Sequence, residues 1–378
     1  MRSLTDLLHP FSLEAFHADH DDRAPLHVPA DAGRAKADLL SWARFNQLLD
    51  QRSIWTAQTL KVVFGGNPVP PHQYCSEVRV RGARALRPDP AKVQILAAQG
   101  ASLIADDAQF LHGPIRALVE PLSRAFAGAV DANIYCSFGG VQAFGTHYDA
   151  HHVFAVQTEG EKVWRLYENR AEAPESFPAD SPDLRRRIAD ARGPVMREVT
   201  MRPGDLLYLP RGWYHDALAS SEASLHVTFS VTPLTGRAVL RSLDDLIGAD
   251  PACRAWLPPA GRDGGEALKA HLADLAERLA ALVKGEAVAA DLAKAQARLV
   301  PRGGDYALPV RPTLTFLEPT GVPMPRVGGA GDEVLAWAAT QRRMALEDML
   351  AQFDFISPET VTAAVEAAER AGALRRLA

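Results

Sequence analysis

The sequence predicts an α+β protein: a β-sandwich or barrel in the middle of the chain, enclosed by an amino-terminal helical shell and followed by more helices. Three observations predict it. Between Asp131 and Thr232 the runs ANIYCSF, HVFAVQ, KVWRLY, REVTM, DLLYLP and LHVTFSVT are short and rich in β-branched and aromatic residues. They are punctuated by Gly139-Gly140, Gly160 and Pro203-Gly204, a pattern of many short strands joined by turns. Before that region, apolar residues recur at helical spacing in Leu40 to Leu49 and in Ile115 to Phe126, separated by stretches rich in Pro and Gly. After Pro233 the helical period returns.

Taken in order, residues 1–235 are expected to hold the strand-rich domain with its helical shell. Within it, Ala171 to Arg192 interrupts the strands and contains DLRRRIADAR, which suggests an inserted loop and short helix, with Arg185 to Arg187 on a solvated face. Residues 236–300 read as helices. Leu268, Leu272, Leu275, Leu279 and Leu282 keep to one face there, which suggests packing against the barrel or a second subunit. Residues 301–378 open with a connector: Pro301 to Gly331 holds six prolines and six glycines, with one strand expected at TLTFLE. A small helical domain follows.

Bulk properties narrow the function classes. A chain of 378 residues with 23% charged residues is ordinary globular material. A net charge of -5 gives it no general attraction for nucleic acid or an acidic membrane face, and suits a basic partner better. Cys75, Cys136 and Cys253 are odd in number and form no zinc spacing, so a disulfide framework is not expected and a reducing compartment is. The amino terminus meets charge and Pro10 too early for a signal-peptide core, and no stretch approaches the roughly 20 apolar residues of a membrane span. The expectation is a cytoplasmic protein.

The chemistry concentrates in NIYCSFGGVQAFGTHYDAHHVFAVQTEGEKVWRLYE, Asn133 to Glu168. In a strand, His147 and Asp149 would share one face and Tyr148 the other. A third ligand is available in GDLLYLPRGWYHDA, where His215 lies beyond a turn at Arg211-Gly212. Two histidines and one carboxylate on one face of a metal leave the opposite positions open, the arrangement of non-haem Fe(II) oxygenases. The HxD triplet alone says little. Its company carries the reading: a small-residue turn before it, the glycine turn and cation of EGEKVW after it, and the PGDLLYLPRGWYH segment downstream. His151 and His152 are read as neighbours of the metal site or of a substrate, since a further ligand would block an open position. Trp164 and Trp213 are expected to pack in or beside the barrel.

These motifs resemble the JmjC-type cupin oxygenases, and within them the ribosomal oxygenases. The resemblance covers most of the chain from PLHV near Pro25 onward, and is motif-specific from Asn133 to Ser230. It implies a double-stranded β-helix, a jelly roll. It also implies Fe(II) on His147, Asp149 and His215, and Lys162 as the anchor of the far carboxylate of 2-oxoglutarate, with dioxygen as the second cosubstrate. Asn133 and Thr228 match residues that hydrogen-bond 2-oxoglutarate in the family. The expected activity is hydroxylation of a side chain of a protein, a histidine or arginine of a ribosomal protein. Demethylation, or action on a peptide natural product or small molecule, uses the same chemistry. The resemblance further implies a helical dimerisation segment at 236–300 and a winged-helix-like domain at 301–378, hence a homodimer. From a different class come a nucleic-acid-binding regulator containing a cupin and a cupin metalloprotein that is not an oxygenase. Against the first, the chain from Asp332 onward has eight acidic residues, five arginines and no lysine. Lys162 discriminates the second, because without such an anchor the triad is only a metal site.

Overall fold

A computed structural model describes residues 3–30, 36–80, 82–139, 144–178, 181–301 and 314–377. The Gly140 of the expected Gly139-Gly140 turn and much of the Pro301 to Gly331 connector lie outside the described residues. The described chain forms two compact units, Met1–Ala238 and Val239–Ala378.

The first unit is built on two antiparallel sheets. The larger has the order Leu26–Val28, Leu206–Leu209, His152–Glu159, Ala223–Pro233, Gly128–Phe138, Ser102–Ala105, Leu60–Phe64, Asn67–Pro68. The smaller has the order Val195–Met201, Lys162–Arg170, Trp213–Ala219. From Leu26–Val28 to Gly128–Phe138, strands adjacent in the larger sheet are distant in sequence, as in a jelly roll. Each run read as a strand between Asp131 and Thr232 coincides with one, DLLYLP through its central four residues, Leu206–Leu209. Trp213–Ala219 is a strand that the sequence pattern did not reveal, and it carries His215.

Strict alternation gives the larger sheet two dissimilar faces. Ala132, Ile134 and Cys136, Phe154 and Val156, and Val227, Phe229 and Val231 pack outward on the shell, against Leu7, Phe16, Phe45 and Leu118 among others. The shell includes the expected helices, at Trp42–Leu49 and Gly113–Phe126. The intervening residues turn inward, where Val153 and Ala155 join Trp164, Leu166, Val199, Met201, Leu207 and Leu209 between the sheets. Both faces of His152–Glu159 are thereby buried, which is why it reads as a continuous apolar run.

The crossing from one sheet to the other depends on Gly160, which has φ +62° in the turn between His152–Glu159 and Lys162–Arg170. A Cβ there would stand 1.9 Å from the Ala223 carbonyl oxygen, backbone that cannot step aside. Gly160→Ala is expected to cost at least about 2–4 kcal/mol from the left-handed conformation and the clash together. Thermal denaturation should show a fall in Tm on the order of 10 °C; an unchanged Tm would mean that the turn rearranges freely.

The second unit opens in the helix Arg237–Ala249 and continues through Glu266–Val283 and Glu286–Ala297. No residue of Glu266–Val283 is buried, and Leu272 of its leucine stripe is 51% exposed. Beyond Leu314 a separate core gathers Leu317, Val334, Leu335, Met349, Val361 and Val365. It is formed by a three-stranded antiparallel sheet, ordered Met344–Ala345, Phe316–Pro319, Leu374–Arg376, with the helices Ala330–Thr340, Leu346–Gln352 and Pro358–Arg370. Among the described residues no helix is long and apolar enough to cross a membrane.

Candidate metal centre and its pocket

The ligating atoms of His147, Asp149 and His215 all lie within 4.8 Å of one another. The segment around His147 is not the regular strand that alternation suggested. It is joined to the smaller sheet by a single antiparallel bridge, in which His147 and His215 exchange both backbone hydrogen bonds at 3.0 and 2.9 Å. Alternation still holds over those three residues. His147 and Asp149 face the pocket, while Tyr148 points away onto Phe177 and Tyr214. The Gly212 N–H donates to the Asp149 carbonyl at 2.8 Å, coupling the carboxylate-bearing residue to the turn that leads to His215. Gly212 has φ +85°, and a Cβ there would meet the Ala171 carbonyl at 2.4 Å.

Both imidazoles are oriented by backbone. Nδ1 of His147 donates to the Gly145 carbonyl and Nδ1 of His215 to the Trp213 carbonyl, each at 2.9 Å. A carbonyl only accepts, so each Nδ1 bears a proton and each Nε2 is the nitrogen turned to the pocket for a metal. Burial, with the neighbouring His147, brings His215 down to about 4, so it is neutral at physiological pH. Burial alone would raise the Asp149 carboxyl, yet His147, His215 and His151 together hold it below its ordinary value. The set offers two imidazole nitrogens and one carboxylate oxygen, which suits a divalent first-row metal.

The triad opens into a cavity of about 110 Å³, room for several waters or a small organic acid. Lys162 reaches into it and is only 4% exposed. Its ammonium donates to Ser137 Oγ at 3.3 Å and stands 5.9 Å from the Trp164 ring. Among the described residues it has no carboxylate partner. Burial lowers it to about 8, with the Cys136 thiol opposing. A surface hairpin lysine would show none of this.

Asn133 and Thr228 are directly opposite one another in the larger sheet and both line the cavity. So do Tyr135 and His226, the next opposed pair, whose rings stack 4.9 Å apart. Sequence reasoning missed these two. The signal available was period 2, since residues two places along from Asn133 and Thr228 must face the same way. His226 Nδ1 is buried with no hydrogen-bond partner, and burial followed by the charge of Lys162 holds the ring well below its ordinary pKa. Trp164 packs inside the barrel, stacked on His215 at 5.6 Å. Trp213 lies beside it, its indole donating to the Tyr167 carbonyl. His151 lines the cavity, 3.9 Å from Asp149, whereas His152 points the other way, onto Tyr208.

A family model described as the JmjC domain matches residues 112–239. The bifunctional lysine-specific demethylase and histidyl-hydroxylase NO66 of Drosophila persimilis is 30% identical over 241 residues, 61% of this chain and 31% of that protein. Ribosomal oxygenase 1 of Gallus gallus is 32% identical over 226 residues, 59% of this chain and 35% of that protein. The chain thus spans about a third of the length of these relatives. Among solved structures, E. coli ycfD superposes with a TM-score of 0.54 at 15% identity, over 97% of this chain and 98% of that one. A second structure, of YcfD, a ribosomal oxygenase from Escherichia coli, in complex with cobalt and 2-oxoglutarate, superposes with a TM-score of 0.51 at 16% identity, over 98% and 99%. At such identities the likeness is one of fold.

Proposed function

We propose that this chain, which carries a JmjC domain and is related to the ribosomal oxygenases, is an Fe(II)- and 2-oxoglutarate-dependent oxygenase that hydroxylates a side chain of a ribosomal protein. The observation that carries the reading is Lys162, a buried cation without a carboxylate partner among the described residues, facing the same cavity as the His147, Asp149 and His215 donors. A buried unpaired charge is costly and is kept where a ligand of opposite charge completes it.

In this reading the two imidazoles and the carboxylate hold Fe(II) from one side and leave the cavity side open. When bound, Fe(II) with 2-oxoglutarate and dioxygen supplies the oxidising power that turns an unactivated C–H into C–OH, with succinate and carbon dioxide as co-products. The chain's own residues bind and orient. Lys162 neutralises the far carboxylate of 2-oxoglutarate, and Asn133 and Thr228 offer hydrogen bonds beside it. The unpartnered Nδ1 of His226 is available to the same ligand. Val153, Trp164 and Ala217 keep the lining dry between these polar groups. A metal-binding cupin without an anionic ligand would leave the buried ammonium uncompensated.

The finer architecture belongs to the same reading. The helices of residues 236–300 form a dimerisation segment whose partly exposed leucine stripe a second copy covers, and residues 301–378 form a winged-helix-like domain. The helix Pro358–Arg370 carries Glu359, Glu366 and Glu369 against one arginine, a poor surface for phosphates, which favours a protein-interaction or stability module over nucleic-acid binding. Three free cysteines, two of them buried, fit a cytoplasmic setting.

Incubating the Fe(II)-loaded protein with 2-oxoglutarate in air should yield succinate even without substrate, through uncoupled turnover. Mass spectrometry of ribosomal proteins from cells with and without the gene should then find one protein heavier by one oxygen in the competent strain. No succinate together with no binding of 2-oxoglutarate would overturn the oxygenase reading. An unmodified ribosome would overturn the substrate class alone.

A further inference from the structure

On the face opposite the two histidines, Thr146 precedes His147 and Asp216 follows His215. The bridge between the histidines sets Thr146 directly across from Asp216. Asp216 is 4% exposed, and its Oδ2 accepts from the Thr146 hydroxyl at 2.9 Å and from the Tyr167 hydroxyl at 2.5 Å. Arg192 Nη1 donates to both of those hydroxyls, at 2.8 and 2.7 Å, and the guanidinium lies 4.4 Å from the Tyr167 ring centroid. The proton order is unambiguous: the cation donates to two hydroxyls, and both hydroxyls donate to the carboxylate. Arg192 follows the helix Pro182–Ala191, in the stretch that reads as an insertion. Its backbone is itself tied down, since the Asn169 N–H donates to the Arg192 carbonyl at 3.1 Å and the Asn169 side chain to the Ala191 carbonyl at 2.7 Å.

We infer that Arg192, acting through Thr146, Tyr167 and Asp216, is a positioning residue for the metal ligands, and that the insertion is therefore part of the frame of the metal centre. The inference rests on the metal-site reading above. The histidine-bearing segment needs such a brace because its ladder is one bridge long. The hydrogen bond from His147 Nδ1 to Gly145 lies within the same segment, so it fixes the ring and leaves the segment free to shift. Beyond the bridge, the Gly212 contact and the packing of Tyr148, the polar brace is what sets the spacing of the two imidazoles from behind. Outer groups that orient metal ligands are commonly worth roughly 10–100-fold in metal affinity.

The test is a Co(II) titration of the whole protein followed by visible absorption, with thermal denaturation of the metal-free forms alongside. Arg192→Met is expected to weaken Co(II) binding by roughly 10–100-fold with a nearly unchanged metal-free Tm, and Arg192→Lys, which keeps N–H donors, to recover most of the loss. Thr146→Val, of the same shape without the hydroxyl, should weaken binding by a smaller factor. Co(II) affinities within about twofold of wild type in both Arg192→Met and Thr146→Val would sink the brace while leaving the metal site standing. So would a loss in Arg192→Met that merely accompanies unfolding, with Thr146→Val unaffected. Failure of the wild-type protein itself to bind Co(II) would instead remove the metal reading and the brace with it.

Discussion

Lys162→Met is expected to remove binding of 2-oxoglutarate and, at the same time, to make the ligand-free protein more stable. Removing one partner of a buried charge pair costs roughly 3–5 kcal/mol, or at least about two orders of magnitude in Kd. The stability gain has the opposite source. The ammonium titrates near 8 in the folded protein against an ordinary 10.5, and burial is the main cause. Each pKa unit is about 1.36 kcal/mol, so below pH 8 the charged lysine costs the fold roughly 3 kcal/mol. Between pH 8 and 10.5 the folded protein has shed the proton that the unfolded chain still binds. Stability of the wild type should therefore rise through that window, and Lys162→Met should lack the rise. Affinity for 2-oxoglutarate should fall over the same range, as the charge that receives it is lost. Calorimetric titration across pH, with denaturation curves of both forms, checks all three. If Lys162→Met bound 2-oxoglutarate within about tenfold of wild type, the lysine would not be the anchor.

The second large effect is expected at Asp149, the only anionic donor of the triad. Adding Co(II) to a wild-type protein that binds it should raise stability by RT ln(1 + [L]/Kd), about 4 kcal/mol at a thousandfold excess over Kd. For a unit of this size that is on the order of 10 °C in Tm. Asp149→Ala should show no metal-dependent shift and should lose turnover by a factor of roughly 1,000 or more, while folding normally in the absence of metal. Removing metal from the wild type with a chelator should return its Tm to that of the metal-free form. A full metal-dependent shift in Asp149→Ala would exclude this carboxylate as a ligand.

The two-sheet core was legible because its strands are short runs rich in β-branched and aromatic residues, uninterrupted where both faces are buried, as in His152–Glu159 and Leu206–Leu209. Trp213–Ala219 was not, since WYHDALA opens on a glycine turn and mixes charge with small residues. Its strand character comes from pairing with Lys162–Arg170, a long-range contact that no local pattern encodes. The candidate metal donors were legible because ligand chemistry restricts residue types and the three lie close to recognisable turns. Tyr135 and His226 were passed over because a tyrosine and a histidine inside strands look like packing residues until the register opposes them. Arg192 could not be found at all by spacing: its partners Thr146 and Asp216 are brought to it by the closure of the sheet.

The two-faced strands also have a consequence for how such a protein changes over time. On Gly128–Phe138 and Ala223–Pro233, neighbouring positions answer to different demands, one to the packing of the helical shell and the next to whatever occupies the cavity. If the cavity holds the proposed ligand, a substitution at 133, 135, 226 or 228, which line it, would retune ligand preference while the letters between them go on securing the barrel. Selection can therefore explore new chemistry and conserve the scaffold on alternate characters of one short word, and a one-residue deletion in either strand would forfeit both at once.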